Sequence, residues 1–399
     1  MEHGAEIYGV TTGFGALVTR QVPAESSRQS QINLLRSHAA GCGDPLPRDV
    51  VRAALIVRLN GLLQGRSGVR PEILERVVEL LNNELIPITP RCGSLGASGD
   101  LAPSAHAFLP LIGEGEVTDG AGESISGAEA LSRLGVAPLV LEAKEALALI
   151  NGTHFMAGVA ALLSVRVGYA LDTADAAAAM TIDALLGTAS ALDRRVHDLR
   201  RLDGQSRSAE NMRTLIEGSN QVSGNHSGPQ DAYSLRCAAQ VHGSAREATT
   251  FFNRLAEADL NAVTDNPLVF DDAPHVVSAG NFHGQSLALA FDTLRVAMAD
   301  LASISERRTF RMLSPSLNNG LPAFLSRDAG LSNGYMVAQY TAAALLSELR
   351  ALAHPVSCDS VPTSDNQEDH VSMGMTAATM ALGAVERLET VLAIELVCA

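Results

Sequence analysis

The sequence predicts an all-α protein built as a bundle of long, roughly antiparallel helices. Three observations carry that expectation. The chain is rich in Ala and Leu, 46% hydrophobic but only 4% aromatic, and has no Trp, a composition suited to helix packed on helix. From Leu141 onward, long apolar patterns run over 141–150, 155–190, 231–261, 284–312, 331–353 and 371–398. Loops separate them, and the longest, 193–230, is polar. Such alternation is the pattern of a helix bundle. A soft boundary near 140 divides an N-terminal region, 1–140, from a long-helix region, 141–399, with one shared core.

The N-terminal region yields its elements in order. Tyr8-Gly9-Val10-Thr11-Thr12-Gly13-Phe14-Gly15 sets three glycines around one Tyr and one Phe and reads as a loop. Residues 28–41 read as a helix with Ser37 and His38 at its end, stopped by Gly41-Cys42-Gly43-Asp44-Pro45. Residues 50–63 form a second helix, and Pro71 opens a third at its first turn. Residues 113–140 are Gly-rich and polar and include a short hairpin.

Between these lies the most unusual stretch, Gly93-Ser94-Leu95-Gly96-Ala97-Ser98-Gly99-Asp100-Leu101-Ala102-Pro103. Three glycines in seven residues free the backbone for positive φ and close approach. Asp100 suits a helix N-cap, Pro103 a first turn, and 105–112 is apolar enough to be buried. In Ala97-Ser98-Gly99 the Gly99 amide nitrogen is placed to attack the Ala97 carbonyl and close a five-membered ring. Loss of water from Ser98 would then leave an exocyclic methylidene, a strong electrophile. A phosphate-binding loop or a plain tight turn is the other reading of these residues.

Charge and cysteine usage narrow the class. The net charge is −15 with no basic cluster, which disfavours nucleic acid and anionic membranes as partners. Cys42, Cys92, Cys237, Cys358 and Cys398 are scattered without a CxxC and read as reduced thiols in a cytoplasmic protein. No secretory leader is evident, and the apolar stretch 155–192 is interrupted by Arg166, Asp172 and Asp175. The sequons at Asn151 and Asn225 therefore carry no weight. Glu368-Asp369-His370 and His154 lack any metal-ligand spacing, so no metal is expected.

The string around Ala97-Ser98-Gly99 resembles the signature of the aromatic amino acid ammonia-lyases and aminomutases, and His38 and Glu368 lean towards the histidine enzymes among them. Those enzymes build 4-methylidene-imidazol-5-one (MIO) from Ala-Ser-Gly. The resemblance extends from Tyr8 to the last helix. It implies elimination of ammonia from an α-amino acid, with L-histidine giving trans-urocanate. It implies that Tyr8, on a mobile loop, removes the β-proton, and helix N-termini nearby would lower its pKa. Gln230-Asp231-Ala232-Tyr233-Ser234-Leu235-Arg236 is similar to the family segment whose side chains line the site. Arg236 there would grip the carboxylate bidentately. Gln230, Tyr233 and Arg236 share a face if the segment is helical. Asn151 matches the Asn that polarises the MIO carbonyl, or it is simply a helix C-cap. Phe282 matches the aromatic beside the MIO.

His38 and Glu368 stand where family members differ among substrates, and both resemble the histidine enzymes. A carboxylate and a second imidazole suit the two ring nitrogens of a histidine. Thr11-Thr12 and Gly284-Gln285 are closer to the tyrosine and phenylalanine lyases or aminomutases, which form the alternative. In the family the active unit is a homotetramer with sites drawn from three chains. Family members also carry a few dozen residues before Tyr8 and several dozen after Glu368. A truncated, silent helical scaffold is thus the rival of a different class.

Overall fold

The computed structural model describes residues 7–222, 230–273 and 275–399. The sequon at Asn225 lies outside them. Fourteen α-helices and seven short strands are found among the described residues, so the all-α expectation holds. Two compact units emerge. The first comprises Met1–Leu162, Arg254–Phe291 and Pro355–Thr379. The second comprises Leu163–Asn253, Asp292–His354 and Met380–Ala399. The sequence boundary near 140 falls inside the first unit.

In the first unit, α1 (Ser27–His38), α2 (Arg48–Leu63) and α3 (Pro71–Asn82) follow the sequence reading closely. Pro71 does open α3, because its missing N–H costs nothing in the first turn. Strand β1 (Cys42–Pro45) follows α1, and β2 (Ile86–Pro87) and β3 (Pro90–Cys92) follow α3. Helix α4 (Leu101–Phe108) packs against α1 and against α6 (Glu145–Ile150). Leu35, Ala105 and Ile150 are fully buried there.

The hairpin expected within 113–140 is β4 (Glu116–Thr118) paired antiparallel with β5 (Ser124–Ser126). β2 extends it to three strands, and β1 pairs with β3. A helix was not read here, yet α5 (Gly127–Leu134) follows directly. Its signal was the pair Ser126 and Glu129, three apart: the Ser126 hydroxyl accepts the Glu129 N–H at 3.2 Å. Gly135, left-handed at φ +71°, ends it.

The long apolar patterns become α7 (His154–Ala184), α11 (Ala238–Leu260), α12 (Gln285–Leu313), α13 (Met336–Leu352) and α14 (Gly374–Cys398). By length and composition α7 could cross a membrane, but 61% of its apolar window is buried inside the protein. The stretch 193–230 is not one loop. It holds α8 (Arg194–Arg200) and α9 (Asp203–Leu215). These were missed because only a narrow face, including Ser208, Ala209 and Met212, is buried. The pattern 231–261 also breaks, into α10 (Tyr233–Arg236) and α11.

The core of the second unit contains an ion-pair network as well as apolar contacts. Glu395 of α14 accepts from Arg308 Nη2 at 2.8 Å, Ser305 at 2.6 Å and Thr181 at 2.9 Å. His242 bonds Asp175 at 2.7 Å, and Arg246 donates to the same carboxylate at 2.6 Å. Arg308 and Glu395 are fully buried. Removing one partner strands a buried charge. Arg308→Met should therefore lower unfolding free energy by about 3–5 kcal/mol, read as a fall in the denaturant midpoint.

Candidate functional site

Ala97, Ser98 and Gly99 sit in a tight turn. Ser98 is left-handed at φ +54°, and Gly99 at +82°. The Gly99 N–H donates to Gly96 O at 3.3 Å. The turn is splinted by the segment between α6 and α7. Gly152 N–H donates to Ser98 O at 3.2 Å, and Asp100 N–H donates to Gly152 O at 2.7 Å. A Cβ on residue 99 would stand 2.2 Å from Gly152 O, so only glycine fits. A left-handed Ser98 stores roughly 1–2 kcal/mol of strain.

Asp100 was expected to cap its own helix. Its side chain makes no cap bond in α4. Instead Oδ2 accepts the Phe155 and Met156 N–H groups at 2.9 and 3.0 Å. It thus caps α7, taking two of the N–H groups that a first helical turn leaves free. Burial pushes the Asp100 carboxyl up to about 7, with the two N–H groups pulling it back and Asp259 adding a further rise.

Asn151 is the C-cap of α6 and is 1% exposed, and its Oδ1 has no hydrogen-bond partner. The end of α6 is fixed by buried Arg58, which donates to Ala148 O and, at 3.0 Å, to Thr264 O. An amide oxygen held rigid, buried and unpaired is poised to accept from a bound ligand.

Tyr8, His38, Ser98, Asn151 and Glu368 line one cavity of about 720 Å³ in the first unit. Ser98 Oγ donates to Glu368 Oε1 at a long 3.5 Å, and Thr363 Oγ1 donates to Oε2 at 3.0 Å. Glu368 reaches the cavity from a loop with three successive left-handed residues, Ser364, Asp365 and Asn366. None is glycine, so that loop too stores strain next to the site.

His38 Nδ1 lies 3.0 Å from Leu34 O, within α1. A carbonyl only accepts, so Nδ1 carries the proton and Nε2 is left as an acceptor. Burial pushes the His38 pKa down, against rises from the Leu34 carbonyl and the Glu368 carboxylate. The ring is therefore neutral at pH 7.

The Tyr8 hydroxyl accepts the Gly15 N–H at 3.1 Å. Its pKa was expected to be lowered. It is raised, mainly by burial, with Gly15 pulling it down and the Glu368 carboxylate pushing it further up. The charge that acts on it is the Glu368 carboxylate.

The other residues singled out from sequence lie elsewhere. Phe282 is half-buried in the first unit but does not line this cavity. Gln230, Tyr233 and Arg236 belong to the second unit and do not line it either. Gln230 is exposed and precedes α10, because Ala232 is extended at ψ 156°. The expected three-residue face is thus cut to Tyr233 and Arg236. The Arg236 guanidinium stacks over the Tyr233 ring at 4.5 Å, and its Nε donates to Asp231 O at 2.8 Å.

Sequence reasoning missed Phe14, Gln29, Asn33 and Ser364 in the cavity wall. Gln29, Asn33 and Ser37 follow a spacing of four, and that polar stripe on α1 was the available signal. Ser364 left no such signal. Its hydroxyl accepts the Ala16 N–H at 2.9 Å across 348 positions of sequence. No group of three or more His, Cys, Asp or Glu among the described residues is arranged to hold a metal ion.

The family profile described as aromatic amino acid lyase matches residues 1–399. The chain belongs to that family. It is 52% identical to a histidine ammonia-lyase of Gloeobacter violaceus, over 98% of this chain and 77% of the relative. Among solved structures, a histidine ammonia-lyase from Trypanosoma cruzi matches with TM-score 0.90 and 40% identity, over 98% of this chain and 73% of that one. A tyrosine aminomutase from Streptomyces globisporus matches with TM-score 0.92 and 38% identity, over 99% and 78%. Within this lyase fold, the two features that leaned towards tyrosine and phenylalanine enzymes stand outside the cavity. Thr11 Oγ1 accepts from the Ile7 N–H at 2.8 Å, and Gln285 donates to Ser357 O at 3.1 Å.

The carboxylate beside Tyr8 gives a direct test. Tyr8 should ionise above the ordinary tyrosine range, seen as phenolate absorbance in a pH titration against Tyr8→Phe. Glu368→Gln removes one cause of the rise, so the Tyr8 transition should move to lower pH.

Proposed function

We propose that this enzyme eliminates ammonia from L-histidine to give trans-urocanate. One observation carries the substrate choice: His38 and Glu368 line the same cavity as Ser98. His38 Nε2 is an acceptor and the Glu368 carboxylate is another, so the wall favours a ring with N–H donors. A phenyl ring would leave both acceptors unpaired, at a cost of about 1–3 kcal/mol each. The identity with histidine ammonia-lyases supports the same reading.

The residues at the turn fit the MIO group. The backbone is already left-handed at 98 and 99, only glycine fits at 99, and the buried Asn151 oxygen lacks a partner. In our reading Gly99 N bonds to the Ala97 carbonyl carbon, one water leaves on ring closure, and a second leaves from Ser98. The finished group supplies an electrophile that makes the substrate amine a leaving group. The chain's own residues do the rest. Tyr8 takes the β-proton on its hydroxyl oxygen. Its raised pKa keeps it protonated near neutrality, so the active fraction grows as pH rises. Asn151 positions the reacting end, and half-buried Ser98 shares the cavity wall with Leu101 and Leu147.

Arg236 is assigned to the substrate carboxylate, with Gln230 and Tyr233 beside it. We place these side chains in a site shared among chains of a D2 homotetramer. Exposed Tyr169, Val337 and Tyr340 are apolar surface that such an assembly would cover. The enzyme is assigned to the cytoplasm.

Three measurements test this reading. Intact mass should show a deficit of two waters per chain, absent in Ser98→Ala; a full unmodified mass in folded protein refutes the ring. Light scattering should give a tetramer, and a stable active monomer would contradict the shared site. Glu368→Gln should lower kcat/KM for L-histidine by roughly 10²-fold, the loss of a charge-assisted hydrogen bond of about 2–3 kcal/mol. It should keep the two-water deficit, because the amide retains an acceptor oxygen beside Ser98. Unchanged L-histidine kinetics, or a parent enzyme that prefers L-tyrosine, would return the assignment to the tyrosine enzymes.

A further inference from the structure

Cys42 and Cys92 stand directly opposite one another in the β1–β3 ladder. Both residues are exposed and both thiols are free. Opposed residues of an antiparallel pair have Cβ atoms about 4.5–5.5 Å apart. A disulfide takes about 3.5–4.5 Å, so a small local adjustment suffices. The backbone can supply it. The ladder register shifts between Cys42 and Pro45, and Gly43 is left-handed at φ +82°. A Cβ built on Gly43 would lie 3.5 Å from Cys92 Sγ, so that thiol already lies over β1.

The pair sits where two walls of the cavity begin. Cys42 follows His38 by four residues, and Cys92 precedes Ser98 by six. Two hydrogen bonds hold the connection just before Cys42. Gly41 N–H donates to His106 Nε2 at 3.1 Å, and Ala40 N–H to His38 O at 2.8 Å. A covalent link here would tie the root of the Ala97-Ser98-Gly99 loop to the end of α1.

We infer that Cys42 and Cys92 form a reversible intrachain disulfide, a redox-responsive tether across the β1–β3 ladder. The oxidant is a low-molecular-weight disulfide of the glutathione type. One cysteine thiolate attacks it, forms a mixed disulfide and expels one small thiolate. The other cysteine thiolate then attacks the protein sulfur of that mixed disulfide and expels the second. The two protein thiols are oxidised to one S–S bond. The small disulfide is reduced to two thiols, which take up the two protons.

The experiment uses the folded full chain in graded ratios of reduced to oxidised glutathione. Free thiols are trapped by alkylation and the peptides are mapped by mass. A Cys42–Cys92 cross-linked peptide should appear with a single midpoint and disappear on return to reductant. Exposed Cys358, with no opposed cysteine, serves as the internal control and should take only a glutathione adduct. The tethered protein should unfold at a higher temperature than the reduced one, since the closed loop restricts the unfolded chain. In Cys42→Ser the cross-link and the thermal gain should both vanish, and Cys92 should accumulate the mixed disulfide. Cys92→Ser should behave in mirror image. Thiols that stay free in the most oxidising buffer would overturn the inference. So would separate adducts on Cys42 and Cys92 in the parent, or cross-links only between chains.

Discussion

A single carboxylate oxygen of Asp100 accepts two N–H groups from the first turn of α7, and the site is organised around that contact. It draws the start of the longest described helix onto the residue that directly follows Gly99. The two strands of backbone then zip together through Gly99 and Gly152, where no Cβ would fit at either position. The Ala97-Ser98-Gly99 turn is thereby held from behind by backbone hydrogen bonds to Gly152. Burial drives the Asp100 carboxyl up to about 7 and the other oxygen is unpaired. Its retention there means that helix capping outweighs much of the desolvation cost.

Strain recurs at two of the segments that reach the cavity. Ser98 is left-handed, and so are three successive residues that carry the chain towards Glu368. Such conformations persist only where surrounding contacts over-determine them. Here those contacts are hydrogen bonds: Thr363 with Glu368 in both directions of the backbone, Ala16 N–H to Ser364, and Gly152 N–H to Ser98. Those hydrogen bonds hold the backbone in place on either side of Ser98 and Glu368. Rigid acceptors such as His38 Nε2 and Asn151 Oδ1 discriminate between ligands because they cannot turn away from an unsuitable one.

The second unit solves a different problem. Its long helices are apolar over much of their surface and would slide in register if nothing polar fixed them. Buried Glu395, Arg308, His242 and Asp175 pair only in one arrangement. A network of this kind adds little net stability over an apolar core, but it penalises every other alignment.

The sequence by itself determined the helical class, the places of α1 and α2, the Pro71 start of α3, a hairpin within 113–140 and the Ala97-Ser98-Gly99 turn. Those features are local: proline geometry, apolar period, and glycine where positive φ is required. It also named Tyr8, His38, Ser98, Asn151 and Glu368, whose meeting in one cavity spans 360 positions of chain. The polar helices α8 and α9 were not legible, since a narrow buried face leaves little periodic signal. Only the tertiary structure decided what Asp100 caps, because the N–H groups it serves belong to another helix. It alone fixed the direction of the Tyr8 pKa, which depends on burial and on a distant carboxylate. It alone put the proton of His38 on Nδ1, through a carbonyl one turn earlier. Charge state, tautomer and cap partner are set by neighbours in space, and spacing along the chain does not encode them.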